Sequence, residues 1–236
     1  MRYSRFLLCV LSLFICPVLI FAQDHKSIGI KGGWSLSNFW GDGTDKLNNS
    51  LRSVSPGLDE RNLSWFTVGV FTKKEIIPDF LAFQTELNYW RGGKAWKGRI
   101  GGAERYFDVE IDYIQMPWIA KIQIPIVFKP SIYAGPEISW MWRSRADNLP
   151  PTANTTPFFA GTNVNGEVFE QYTKVIDIGF VAGIDIGIPF GPGSIVLDGR
   201  FLLGALNTFN YSAAQEVRNY SFMFMGGYAI DFGKSL

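Results

Sequence analysis

Every second side chain along residues 175–190 is apolar. Ile176, Ile178, Phe180, Ala182, Ile184, Ile186 and Ile188 share one face, and Asp177, Gly179, Val181, Gly183, Asp185 and Gly187 share the other. A period of two belongs to an extended strand whose two faces meet different surroundings. The same one-sided alternation recurs in residues 26–39, 64–74, 80–91, 110–124, 131–143, 194–206 and 219–233. Eight such strands specify an all-β chain.

The connections between them alternate in length. Residues 75–79, 125–130 and 191–193 make short links, whereas 40–63, 92–109, 144–173 and 207–218 make long ones. Strict alternation is what eight up-and-down strands produce when both chain ends lie on one side. Bacterial outer-membrane barrels carry short periplasmic turns and longer external loops. Each strand also reaches the roughly 9–11 residues needed to cross a bilayer at a tilt. Pro117, in the middle of the fourth strand, predicts a bulge or kink there.

Period two fits two kinds of barrel. A membrane barrel turns its apolar face outward, and a soluble exported lipocalin-like carrier turns it inward. Three features favour the membrane form. Glycines crowd the polar face (Gly29, Gly33, Gly69, Gly135, Gly179, Gly183, Gly187, Gly204), as a narrow lumen requires where strands bend. Aromatic residues gather at the strand ends beside the long loops. Trp40, Trp65, Trp90, Trp140, Trp142 and Tyr220, with Tyr89, form the expected interfacial girdle. All eight strands also share the same one-sided pattern. The expected fold is an eight-stranded antiparallel up-and-down transmembrane β-barrel in a cell outer membrane.

Residues 1–22 read as a cleavable signal peptide, with Arg2 and Arg5 first, then an uncharged stretch over 6–21, then Ala22. The barrel domain is then 23–236. Both cysteines, Cys9 and Cys16, belong to the leader, so the mature chain has no disulfide or thiolate chemistry. The leader removes two arginines and no acid, leaving 20 basic against 21 acidic residues, a net charge of −1. That balance argues against nucleic acid as a partner. After the leader no long uncharged stretch lacks Gly or Pro, so insertion must be by strands.

The inward positions carry Lys31, Glu86, Lys121, Glu137, Arg143, Asp177, Asp185, Asp198 and Arg200. An eight-stranded interior is only wide enough for side chains to fill it. These charges are therefore expected to meet one another, since lone buried charges are very costly. Arg200 is expected to bridge at least two of Glu86, Asp177, Asp185 and Asp198 and so plug the barrel. A proton or ion path along the same residues is the alternative.

Catalytic chemistry is sparse. The single histidine, His25, lies at the mature N-terminus. Without cysteine, zinc-type ligand clusters are excluded, and a Ser/His hydrolase would have to use that terminal histidine. Paired carboxylates such as Asp185 and Asp198 could in principle do acid–base work, but inside a filled lumen they read as structural. Residues 227–235 imitate a phosphate-binding loop with one residue too many between the glycines, and the chain ends before a helix could follow. No metal or cofactor and no enzymatic activity is expected. Residues 149–166, rich in Pro, Thr, Asn and Gly, read as an external loop, and an extra hairpin around 163–169 would raise the strand count to ten.

Several segments carry a family resemblance. Ile28-Gly-Ile-Lys-Gly-Gly-Trp-Ser-Leu-Ser-Asn-Phe39 resembles the opening strand of the PorT-like outer-membrane β-barrel proteins, often labelled a porin family. Gln84-Thr-Glu-Leu-Asn-Tyr89, Tyr113-Ile-Gln-Met-Pro117, Gly179-Phe-Val-Ala-Gly183 and Asp198-Gly-Arg-Phe-Leu-Leu-Gly204 are similar to the same pattern. The resemblance implies an eight-stranded barrel, and the family's namesake takes part in type IX protein secretion. One departure is the chain end, where Phe232 is followed by four further residues instead of closing on an aromatic.

The reading that follows is a non-enzymatic outer-membrane barrel whose long external loops, 40–63 and 144–173 above all, do structural or binding work. A narrow channel, an accessory of protein secretion and a soluble ligand carrier are the alternatives. The implied partners are outer-membrane lipid, the barrel assembly machinery, and an extracellular or secretion-machinery protein.

Overall fold

The computed structural model describes residues 26–55, 57–100, 102–147, 173–210 and 216–232. The expected signal peptide, His25, the loop at 149–166 and the extra hairpin at 163–169 lie outside these residues.

Eight antiparallel strands close into one barrel in sequence order. They are β1 (Lys26–Trp40), β2 (Asp59–Ile77), β3 (Leu81–Ile100), β4 (Ala103–Gln123), β5 (Ser131–Asp147), β6 (Ile176–Phe190), β7 (Gly193–Gly204) and β8 (Arg218–Phe232); among the described residues there is one helix, α1 (Asp42–Val54), after β1. The ring closes where β1 pairs with β8, from Lys26 opposite Phe232 to Trp40 opposite Arg218. Gly33 lies on this seam, where a β-carbon would stand 1.9 Å from the Phe224 carbonyl oxygen. Short turns at 78–80, 124–130 and 191–192 join the strands at one end. No helix among the described residues is long and apolar enough to cross a membrane.

The expected alternation places the side chains. Ile28, Ile30, Phe180, Ile184 and Phe224 face outward and are 49–62 % exposed, while Asp185, Asp198 and Arg200 on the opposite face are at most 6 % exposed. This is the reverse of a soluble barrel, where apolar side chains fill the centre. An exterior of this kind lowers its free energy only in contact with an apolar medium.

Three features differ from the sequence expectation. Residues 92–109 are not a loop: β3 and β4 continue through them as a hairpin that projects beyond the ring, paired from Gly92–Ile111 to Ile100–Ala103. Residues 40–63 contain α1 and the first five residues of β2. The register runs through Pro117, opposite Glu137, without a shift, and the irregularity in that pair falls instead opposite Asp112 and Tyr113, beside Trp142 and Arg143. Arg143 is consequently exposed at the bulge rather than in the lumen.

The projecting strands reverse their polarity. In β4, Ile114, Trp118 and Ile122 face outward in the ring, but Phe107, Val109, Ile111 and Tyr113 face inward and are at most 1 % exposed. The switch falls between Tyr113 and Ile114, where two apolar residues stand side by side. Helix α1 completes the projecting part. Asp42 and Asp45 sit in its first turn and Arg52 in its last, matching the helix dipole at both ends. Leu47 and Leu51, one turn apart, are fully buried among Trp96, Phe107 and Val109. Burying each stabilises the cap by roughly 1.5–3 kcal/mol. The Trp96 indole N–H donates to Asn48 at 2.9 Å, and Asn48 and Lys94 both donate to Glu60 at 2.8 and 2.7 Å. The helix is thereby tied to β2 and β3.

Candidate functional site: the filled lumen

Four charges from three strands meet at mid-barrel. Lys31 Nζ (β1) donates to Glu86 Oε1 at 2.7 Å and to Asp198 Oδ2 at 2.8 Å. Arg200 (β7) donates to both Glu86 oxygens at 2.8 and 3.0 Å, and pairs with Asp198 as well. All four side chains are at most 1 % exposed. Two cations face two anions, so the group is neutral and each charge has two partners of opposite sign.

Further donors complete the set. Tyr133 Oη (β5) donates to Asp198 Oδ1 at 2.6 Å, and Asn88 Nδ2 (β3) donates to Glu86 Oε2 at 2.8 Å. Buried charge is tolerated only with such full pairing and hydrogen bonding. The glycines on the inner face provide the room. A β-carbon at Gly183 would stand 2.6 Å from Tyr133 Oη, and one at Gly69 would stand 1.9 Å from Asn88 Oδ1.

The remaining sequence-predicted lumen residues fall into separate groups. Lys121 pairs with Asp185 toward the short-turn end. Glu137 accepts from Ser139 Oγ at 2.7 Å, and Asp177 accepts from the Leu206 backbone N–H at 3.3 Å. Arg200 therefore bridges Glu86 and Asp198 of the four expected acids, and the structure places Asp177 and Asp185 in other contacts. Tyr133 is a ring on the inner face with Arg200 and Lys121 at 5.5 and 5.0 Å from its centroid, and nothing in its own segment marks it as part of the charge group. Its place opposite Gly183 in the β5–β6 register was the available signal.

The aromatic girdle is divided. Trp142 is 68 % exposed, and Trp40, Trp140 and Tyr220 are half-buried. Arg218 lies over the Trp40 ring at 4.9 Å, and Arg91 over Trp65 at 3.8 Å. Trp90 is a correction: it is 1 % exposed and points into the barrel, stacked on Tyr113 with ring centroids 5.1 Å apart. An inward position at the level where the lumen becomes apolar requires a large ring there. Above the ring the outer face carries a second charge group unforeseen from sequence. Arg91 donates to Asp112 at 2.6 Å and to Glu110 at 2.7 Å, Tyr89 Oη donates to Asp112 at 2.8 Å, and Arg145 pairs with Glu110.

The barrel is thus stopped twice. The ion group fills its middle, and Trp90, Tyr113, Ile111 and Phe107, under α1, fill the end that carries the long connections. No group of three or more metal-ligating side chains occurs among the described residues.

No model of a known protein family matches this chain, and no curated protein matches it either. Among solved structures it is similar to Ail, the attachment invasion locus protein of Yersinia pestis, in complex with the heparin analogue sucrose octasulfate. The identity is 12 %, the match covers 88 % of this chain and 100 % of that one, and the TM-score is 0.43. It is also similar to the outer membrane protein OprG of Pseudomonas aeruginosa, at 11 % identity over 88 % of this chain and 96 % of that one, TM-score 0.45. A third similar structure is Neisserial surface protein A, at 12 % identity over 89 % of this chain and 100 % of that one, TM-score 0.44.

Proposed function

We propose that this chain is a non-conducting, non-enzymatic barrel of a cell outer membrane. Its work is done by the assembly that projects from the long-connection end: the β3–β4 hairpin, the start of β2, the end of β5, and α1. The observation that carries this reading is the doubly stopped lumen inside an apolar exterior. A pore would need a water-filled path past Arg200, and that residue is fully buried among its partners. The projecting part is held by continuous strand pairing and packed on its own apolar core, the arrangement in which a scaffold holds a recognition surface. Recordings in planar bilayers test the point directly. The expected result is a flat baseline with the purified protein. Reproducible conductance steps, abolished by heat unfolding, would overturn it in favour of a narrow channel.

We further propose membership of the PorT-like barrels. The segments that carry the resemblance also supply the interior: residues 28–39 bring Lys31, 84–89 bring Glu86 and Asn88, 113–117 bring Tyr113, and 198–204 bring Asp198 and Arg200. Partnership with protein-secretion components is the finer reading within this family. It is tested by crosslinking in intact cells followed by co-purification; recovery of the barrel alone counts against it.

A further inference from the structure

The bulge between β4 and β5 sets two successive side chains on the exterior. Tyr113 pairs with Met141 and Asp112 with Arg143, so Trp142 is the extra residue. Met141 is buried, Trp142 is 68 % exposed, and Arg143 is exposed beside it. Without the extra residue, strand parity would turn Arg143 into the lumen; re-aiming a side chain is what a bulge does. The place is the edge of the apolar exterior. An outward row joins Ile114, Trp140 and Ile176 across β4, β5 and the start of β6. Arg143 follows Trp140 along β5 on the side of the long connections.

A second cation lies next to it. The segment before β6 continues along β5: the Met141 backbone N–H donates to the Val175 carbonyl at 2.8 Å, and the Ser144 and Thr173 hydroxyls are 2.8 Å apart. Lys174, half-buried, sits between these two contacts and so beside the bulge. Among the described residues neither Arg143 nor Lys174 takes part in an ion pair. The acids around them are engaged elsewhere. Asp112, across from Arg143, accepts from Arg91 at 2.6 Å and from Tyr89 Oη at 2.8 Å. Glu110 accepts from Arg91 at 2.7 Å and pairs with Arg145. Asp177, whose charge acts on Lys174, is buried on the inner face and accepts from the Leu206 backbone N–H. Asp108 stands beyond Glu110, farther out along β4. In open water an exposed guanidinium needs no partner. At the margin of a lipid-facing surface its surroundings are headgroups, and headgroups carry phosphate.

We propose that Arg143 and Lys174 hold the phosphate monoester of a lipid headgroup, in the leaflet on the long-connection side, with Trp142 beside it. The planar guanidinium meets two phosphate oxygens at once, and the ammonium adds a point charge. Two cations suit a monoester, which carries close to two negative charges at neutral pH, better than a diester with one. A tryptophan ring rests at headgroup level. Val175 and Ile176, 44 and 45 % exposed, then meet the first carbons of the acyl chains.

Native mass spectrometry of the full-length barrel in a nonionic detergent tests this. The probes are phosphatidic acid, phosphatidylglycerol and phosphatidylcholine with the same acyl chains, and inorganic phosphate as competitor. One phosphatidic acid is expected to stay bound in preference to either diester lipid. Arg143→Gln and Lys174→Gln should each weaken its retention about fivefold, the effect of one cation at a charged lipid surface. Arg61→Gln, on β2 and engaged with Asp59 in an exposed ion pair, should leave retention within about twofold. A heat-dependent gel shift verifies that each variant is a folded barrel. Equal retention of phosphatidic acid and either diester, its displacement by inorganic phosphate at equal concentration, or unchanged retention in either folded variant at the bulge would each overturn the proposal. None of these results depends on whether the barrel conducts.

Discussion

Arg200 and Glu86 lie 114 positions apart in the chain and meet at the centre of the barrel through two hydrogen bonds of 2.8 and 3.0 Å. The pair joins β7 to β3 across the lumen, and Lys31 and Asp198 close it into a group of four. Such a group holds the barrel at fixed width, because any widening would separate buried charges.

Arg200→Ala leaves Glu86 and Asp198 with only Lys31 between them. Breaking one partner of a buried charge group costs roughly 3–5 kcal/mol. Urea unfolding in detergent, followed by tryptophan fluorescence, should register that loss. Replacement of Arg200 by Lys should recover only part of it, since one ammonium cannot span both oxygens of Glu86. An unchanged midpoint in Arg200→Ala would remove the mechanical role of the group.

The exterior makes a separate prediction. Ile184 is 62 % exposed, and in a water-facing barrel a lysine there would be nearly neutral. Against lipid, a lysine on the outer face of a barrel costs about 2–4 kcal/mol at mid-depth. Ile184→Lys is therefore expected to reduce stability in lipid vesicles by that order. Measuring the same variant at Tyr106, outward on the projecting hairpin and 55 % exposed, should give a change within about 0.5 kcal/mol.

Helix α1 can be unseated without opening the ring. Leu51 is fully buried, and Leu51→Ala removes its packing at a cost of about 2–5 kcal/mol. Limited proteolysis should then cut the α1 segment while the barrel keeps its heat-dependent gel shift. Loss of the shift in step with cleavage would mean that cap and ring fold as one unit.

The seam depends on a residue without a side chain. At Gly33 a β-carbon would stand 1.9 Å from the Phe224 carbonyl oxygen and 2.7 Å from the Met225 α-carbon. Both obstacles are backbone, so neither can rotate away. Gly33→Ala should slow closure of β1 on β8, read as a smaller folded fraction in a vesicle-folding assay. Gly226→Ala, whose β-carbon has only a Leu197 methyl within 4 Å, at 3.8 Å, should fold normally.

Lys129 gives the turn 124–130 a pH dependence. Burial works against its charge, but the hydrogen bond to Asp79 and the fields of Glu75 and Asp79 outweigh it and hold the ammonium above the ordinary value of 10.5. A cation with a raised folded-state pKa contributes stability below its unfolded value and loses it as pH rises through the folded one. The turn should therefore loosen only in strongly alkaline solution. Unfolding midpoints of wild type and Lys129→Met should converge there and differ below it.

Where the alternation is regular, the strands read correctly: β6 was expected at 175–190 and spans Ile176–Phe190. The eight lumen residues Lys31, Glu86, Lys121, Glu137, Asp177, Asp185, Asp198 and Arg200 all lie on the inner faces, because parity along a strand fixes the face. Parity failed at Arg143, where the bulge beside Trp142 adds a residue and shifts the count. Trp90 follows parity rather than its place at a strand end: it shares the inner face of Glu86 and Asn88 and is buried, not an interfacial anchor. The projecting hairpin was legible in part: Asp108, Glu110 and Asp112 alternate strictly with Phe107, Val109, Ile111 and Tyr113. Its apolar face is opposite to that of the ring, so the one-sided pattern that marks the other strands does not extend into it.

The sequence by itself determined the plan of the ring: up-and-down antiparallel strands in chain order and, where the alternation is regular, which side chains face lipid or lumen. A period of two is a local property of the backbone, and a single chain displays it. Only the tertiary structure decided which charges pair, that Arg200 takes Glu86 and Asp198 rather than Asp177 or Asp185, and that α1 covers the open end. Those choices depend on the stagger of distant strands and on the space left between them, and neither is written in any one segment.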